Sequence, residues 1–88
     1  MTIKEYLDNS PFEEVLLLKN FSYDSAFRGV TYDGRAVYDF DEMVEWLKRY
    51  TGWSQDEAEQ WIESNTLKSL PYYGEKAPII MYQCEVNA

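Results

Sequence analysis

Hydrophobic positions along the chain fall into blocks separated by polar, turn-forming residues. In the clearest block, Met43, Trp46, Leu47 and Tyr50 recur at i, i+3, i+4 and i+7, the one-sided stripe of an amphipathic helix. Asp39 with Glu42 supplies a capping box before that stripe. Gly52 stands after it, where a left-handed terminal residue is needed, so a helix is predicted over Asp41–Thr51. Ser54 and Glu57 form a second capping box almost at once. They start a helix over Gln55–Ser64 with Ala58, Trp61 and Ile62 on its inner face and Trp53 placed to staple its beginning. Trp46 and Trp61 fall on apolar helical faces and are assigned to the core. Two helices joined by so short a turn must pack as a corner or a hairpin.

Strand signals flank this helical pair. Tyr32-Asp33-Gly34-Arg35 reads as a two-residue hairpin, because Asp-Gly tolerates the positive φ angles of a type I′ turn. In that register Val30 faces Val37, Gly29 lies under the Tyr38 ring, and Arg28 faces Asp39 as a cross-strand ion pair, with strands near Ala26–Tyr32 and Arg35–Asp39. After Asn65 the helical pattern breaks. Leu70–Gly74 reads as a turn-rich connection and Ala77–Tyr82 as a last strand, with Pro78 at its start or on an edge. Near the N-terminus, Thr2 and Glu5 fit a capping box for a short helix through Tyr6 and Leu7. Ser10-Pro11-Phe12-Glu13 is a further helix start, and Phe12, Val15 and Leu16 share a face, so helix is the reading taken for Pro11–Lys19. A buried strand over Val15–Leu18 stays open as the alternative. The whole predicts an α+β fold in one domain, residues 1–88. A short antiparallel sheet, made of the hairpin and the C-terminal strand, packs against two or more α-helices.

Composition narrows the function classes. A hydrophobic content of 45% and an aromatic content of 17% are too high for a disordered acidic tail, so a folded core is expected. Sixteen acids against eight bases give a net charge of −8. That balance argues against direct DNA or RNA binding and against anionic membrane surfaces, both of which need clustered Lys and Arg. Cys84 is the single cysteine, so no intramolecular disulfide is expected, and no apolar run reaches the length of a membrane span. The N-terminus lacks the apolar segment of a secretory signal, and a cytoplasmic protein is the expectation.

Catalytic chemistry finds little support. The chain has no histidine, and the acid beside Cys84 would raise rather than lower the thiol pKa. Asp39, Asp41 and Glu42 lack the alternating oxygen ligands and glycine of a calcium loop. No enzyme activity, no cofactor and no metal site are therefore predicted.

A binding surface is the better candidate. Between Arg49 and Lys68 the chain carries Asp56, Glu57, Glu59 and Glu63 and no cation. On a helix Asp56, Glu59 and Glu63 fall at i, i+3 and i+7 and form one stripe, with Glu57 at its margin. Most such runs only solvate a helix face. This one lacks the i+4 Lys or Arg of ordinary surface helices, which the preceding helix has, with Lys48 and Arg49 following Glu45. An uncompensated carboxylate row can imitate a phosphate row toward a basic groove on another protein. Tyr72, Tyr73 and Glu75, on the connection after the helices, are the supplementary contacts, since tyrosines on a turn offer rigid amphipathic area. The bland alternative has one of those rings closing the core while the other lies on the surface.

Several local sequences are shared with a known group. Gly29-Val30, Asp33-Gly34-Arg35-Ala36-Val37-Tyr38-Asp39, Met43 with Leu47, Gly52, Glu57-Ala58, Asn65-Thr66, Leu70-Pro71-Tyr72 and Ala77-Pro78-Ile79-Ile80 carry the likeness. From Ala26 to Tyr82 the chain resembles small, largely uncharacterised proteins encoded by phages and prophage-like elements of gut Firmicutes. The resemblance implies a mobile-element origin and assigns no activity to any residue. Small acidic phage proteins include counter-defence factors such as anti-CRISPR inhibitors. By that category-level analogy the expected function is a non-enzymatic inhibitor, acting in the bacterial host's cytoplasm as a monomer or homodimer. Its partner is a host protein with a basic surface, such as a CRISPR effector. A phage assembly factor and an adaptor modulating host transcription are the alternatives.

Overall fold

The computed structural model describes residues 3–8 and 15–84. In chain order these form α1 (Ile3–Asp8), β1 (Phe27–Val30), β2 (Ala36–Asp39), α2 (Phe40–Thr51), α3 (Gln55–Trp61) and β3 (Ile79–Met81). A π-helical segment, Ile62–Leu67, continues α3, and single 3-10 turns lie at Asp24–Ala26 and Leu70–Tyr73. The fold is α+β. Its sheet has the order β1-β2-β3, with β1 antiparallel and β3 parallel to the central β2. The expected all-antiparallel sheet is thus corrected to a mixed one. The reason lies in the connection: β2 runs straight into α2, and the chain returns only after α3 and the turn at Leu70–Tyr73. Such a helical crossover brings β3 in at the end where β2 begins.

The hairpin forms in a different register from the one predicted. Gly34 N–H donates to Thr31 O at 2.9 Å and Thr31 N–H donates to Arg35 O at 2.8 Å, so the loop holds three residues, Tyr32 to Gly34. Gly34 takes the left-handed residue of that loop with φ of 86°, the bulge geometry that competes with a type I′ turn. Val30 therefore faces Ala36 and Gly29 faces Val37, and Phe27, not Gly29, is opposite Tyr38. A second irregularity leaves Arg28 unpaired between Phe27 and Gly29, and Gly29 at φ of 147° absorbs it. That bulge still brings Arg28 Nε to 3.8 Å from Asp39 Oδ2, so the expected ion pair survives the slipped register. Within the turn, the Thr31 hydroxyl donates to the Asp33 carboxylate and holds it below its ordinary pKa.

Asp39 joins sheet to helix. It is almost fully buried, and its Oδ1 accepts the Glu42 N–H at 3.3 Å as the cap of α2. Gly52 at φ of 82° closes the helix, and the Ser54–Glu57 capping box opens α3, both as predicted. Met43, Val44 and Leu47 of α2 and Ala58 and Ile62 of the next helix are buried against Tyr38 and Ala36 of β2. Each large side chain so removed from water contributes about 1.5–3 kcal/mol.

The segment before the hairpin departs most from expectation. Residues 15–18 form neither helix nor strand, although Leu18 is buried and Val15–Leu17 are half-buried. At the end of the segment two backbone groups find side-chain partners: Leu18 N–H donates to Tyr38 Oη at 3.4 Å and Lys19 N–H to Tyr73 Oη at 3.2 Å. Two phenols thus take donors that a helix would direct at its own carbonyls. The Ser10–Glu13 helix start and the Thr2 cap lie outside the described residues. The short helix expected after Thr2 is present as α1.

Tyr23 closes the core. Its backbone is left-handed, with φ of 49°, a conformation that costs a bulky residue about 1–3 kcal/mol. Its ring is fully buried beside Phe21, Tyr38 and Trp46. The Tyr23 hydroxyl shares a 3.1 Å hydrogen bond with Thr66 Oγ1 on the buried side of the π segment. Burial pushes both the Tyr23 and the Tyr38 phenol up to about 12, from an ordinary 10.0.

Two predictions follow from this core. Tyr23→Phe strands the Thr66 hydroxyl and lowers stability by about 1–2 kcal/mol. Thr66→Val acts similarly, and the double variant loses less than the sum, as read from urea unfolding. The neutral phenols favour the folded state, so their contribution is complete below pH 10.0 and is lost as pH rises toward about 12. Unfolding midpoints should fall over that interval, and the fall should be smaller in a Tyr23→Phe/Tyr38→Phe variant.

Candidate partner-binding site

The acidic residues sit on a helix whose local chemistry explains three of the four. Glu57 is the third residue of α3; its backbone N–H donates to Ser54 Oγ at 3.2 Å and its Oε1 accepts Ser54 N–H at 3.3 Å. Asp56 and Glu57 also lie in the first turn, where the helix dipole favours carboxylates. Glu59 is half-buried and accepts from Gln55 Nε2 at 2.7 Å. Gln55 Oε1 in turn accepts from Lys48 Nζ at 3.2 Å, and Lys48 is paired with Glu45 at 3.2 Å. A cation from α2 therefore reaches the acidic helix through one carboxamide, a compensation that spacing within the run could not reveal.

Asp56 and Glu63 are the free members. Both are exposed, and neither has a side-chain hydrogen bond or ion pair among the described residues. Glu63 stands one residue inside the π segment, so the predicted stripe bridges the change of helical pitch. The segment Ile62–Leu67 buries Ile62 and Thr66 and leaves Glu63, Ser64 and Asn65 exposed. Such wide turns inside helices are frequent at functional sites.

Beside the stripe is a notch of about 370 Å³ lined by Trp53, Glu57, Gln60, Trp61, Ser64 and Asn65. Trp53 and Trp61 are half-buried, with ring centroids 6.2 Å apart and planes at 38°. Phe21 backs the Trp61 ring at 4.9 Å and also touches Trp46 and Tyr50, linking the notch to the core. Asn65 Nδ2 donates to Trp61 O at 3.0 Å, which uses its donor side and leaves the carboxamide oxygen as an acceptor. Sequence reasoning missed this grouping by assigning Trp61 wholly to the core. The signal was present: Trp53, Glu57, Trp61 and Asn65 follow one another at intervals of four, a single helical edge.

The supplementary residues gather elsewhere. Tyr73 is half-buried, with Lys19 Nζ 5.3 Å from its ring centroid and its hydroxyl held by Lys19 N–H. Tyr73 and Glu75 line a second depression with Val15, Leu16 and Lys76, which shares no residue with the Trp53 notch. Tyr72 is 91% exposed and belongs to neither. Thus Asp56, Glu57, Glu59 and Glu63 share α3 and its extension, whereas Tyr72, Tyr73 and Glu75 lie on the following turn.

Among the described residues no group of three or more His, Cys, Asp or Glu could hold a metal ion, and no helix is long and apolar enough to cross a membrane. Cys84 is exposed. The chain matches no family model, no curated protein and no solved structure.

The capping chemistry yields a prediction that separates Glu57's structural role from its charge. Ser54→Ala should lower stability by about 1 kcal/mol in urea unfolding. Glu57→Ala should cost a similar fraction, whereas Glu57→Gln, which keeps an accepting oxygen at the third helical position, should cost less.

Proposed function

We propose that this chain is a non-enzymatic binding protein of phage or mobile-element origin. In this reading the α3 face meets a basic, nucleic-acid-binding surface of a host protein, in the manner of an anti-CRISPR or other anti-defence inhibitor. The observation that carries the binding reading is the pair Asp56 and Glu63, two exposed carboxylates without an internal partner among the described residues. A surface carboxylate with no side-chain partner in its own chain can meet a cation without breaking an internal contact. With a net charge of −8 behind it, this face steers a cationic surface toward itself and speeds encounter. The origin rests on the resemblance between Ala26 and Tyr82, and the inhibitor class on analogy with other acidic phage proteins. The cytoplasm of the bacterial host is the compartment where such a partner would be met.

One observation favours a second reading. Tyr32, Tyr50, Tyr72 and Tyr82 are all largely exposed, as expected of an assembly factor that associates through aromatic contacts. A molecular mass that rises with concentration would favour it.

An Asp56→Lys/Glu63→Lys variant tests the first reading, because neither side chain has a hydrogen bond or ion pair among the described residues. The variant should stay folded and lose only about 1 kcal/mol, the helix-terminus contribution of Asp56. Capture of a partner from host lysate should be lost, and association with the purified partner should slow by about ten-fold or more at low salt, converging with the parent at high salt. Recovery of a nuclease complex by the parent supports inhibition, and recovery of polymerase subunits supports a transcriptional adaptor instead. Equal capture by parent and variant would contradict the role given to this face.

A further inference from the structure

The notch beside the acidic face has a chemistry of its own. We infer that it seats an arginine side chain from a basic segment of a protein partner, an inference that rests on the proposed binding role of the α3 face and names its anchor. Three features converge on that occupant. The Trp53 and Trp61 rings both line the notch with centroids 6.2 Å apart, so one cation can lie within the roughly 6 Å of both centroids at which cation–π attraction acts. Glu57 lines the same notch, and its capping role engages only Oε1, leaving Oε2 for a guanidinium. Gln60, Ser64 and the free Asn65 oxygen add neutral acceptors around the same space.

Arginine fits this set better than lysine. Its planar guanidinium stacks on indole faces and directs several N–H donors outward in its plane, whereas an ammonium is a compact, strongly hydrated point charge. The notch, about 370 Å³, is shallow and open to solvent, so a side chain carried on a partner's surface can reach it. Asp56 and Glu63, on the same helix and its extension, supply long-range attraction without touching the guanidinium, so approach and anchoring are divided between different residues. Tryptophan and arginine are also the residue types that most often dominate protein interfaces.

The test uses the full chain and hexa-arginine, hexa-lysine and hexa-citrulline peptides as probes, followed by the indole N–H resonances of the three tryptophans. Trp46, which stacks on Tyr50 at 4.8 Å and does not line the notch, is the internal control. Hexa-arginine should shift Trp53 and Trp61 saturably and leave Trp46 nearly unmoved. Hexa-lysine should bind more weakly, and hexa-citrulline, which keeps the shape without the charge, should not bind. Trp53→Leu and Glu57→Gln should each weaken hexa-arginine binding by about ten-fold; Glu57→Gln should change the unfolding midpoint little, whereas Trp53→Leu, which also loses core packing, is titrated under conditions where it stays folded. Asp56→Lys/Glu63→Lys should weaken both cationic peptides alike while the indole shifts persist at saturation.

If backbone amides around Asp56 and Glu63 respond equally to arginine and lysine while no indole moves, the anchor is wrong and the acidic-face reading stands. Equal indole shifts with hexa-citrulline would overturn the assignment of a cation. If neither indoles nor α3 amides respond to any peptide, both readings fall together.

Discussion

The hydrogen bond between Tyr23 and Thr66 is the contact on which the rest of this small structure depends. It joins the loop before the hairpin to the π segment after α3, across a gap of 43 residues in sequence. Neither group could be left there alone, because a buried hydroxyl without a partner costs about 1–3 kcal/mol. The chain accepts a left-handed backbone at Tyr23 to make the contact, and it widens the helix at Ile62–Leu67 where Thr66 turns inward. The strained backbone at Tyr23 is offset by a shared buried bond and by the aromatic packing around it.

That packing sets up the surface. Tyr23 touches Phe21 and Trp46, Phe21 backs Trp61, and Trp61 stands beside Trp53 at the rim of the notch. The aromatic side chains therefore form a continuous path from a fully buried ring to half-buried ones. A ring fixed from behind loses little freedom when something stacks on its front, which is the preorganisation a binding anchor requires. The wide π turn serves both ends of the path, since it turns Thr66 toward the core and leaves Ser64 and Asn65 at the notch.

Much of the scaffold was legible from local rules. The Asp39 cap, the Gly52 terminus and the Ser54–Glu57 box are contacts between residues a few positions apart, and the sequence states them directly. What escaped depends on distant partners. Val15–Leu18 looked helical because nothing local shows that Tyr38 and Tyr73 will take the N–H groups of Leu18 and Lys19. The hairpin slipped because Asp-Gly suits both a two-residue and a three-residue loop, and the bulge at Arg28 conceals the difference by preserving its ion pair. The direction of β3 follows from where the crossover ends, which no short window contains. In the candidate site, the acids were visible as a run. The Lys48–Gln55 relay and the Trp53–Trp61 notch were not, since each needs the corner between α2 and α3.

Function then becomes a matter of which carboxylates are free and what lies beside them. Glu57 and Glu59 serve the helix first, Asp56 and Glu63 are unengaged within the described chain, and two indoles flank the only one of these acids that lines the notch. The most direct measurement is an isotope-filtered NOE spectrum of the full chain saturated with an arginine-labelled basic peptide. Contacts from the arginine δ-methylene protons to the ring protons of both Trp53 and Trp61 are predicted. Contacts confined to Trp46 and Tyr50, or none to any indole in a saturated complex, would contradict an aromatic anchor beside an acidic face.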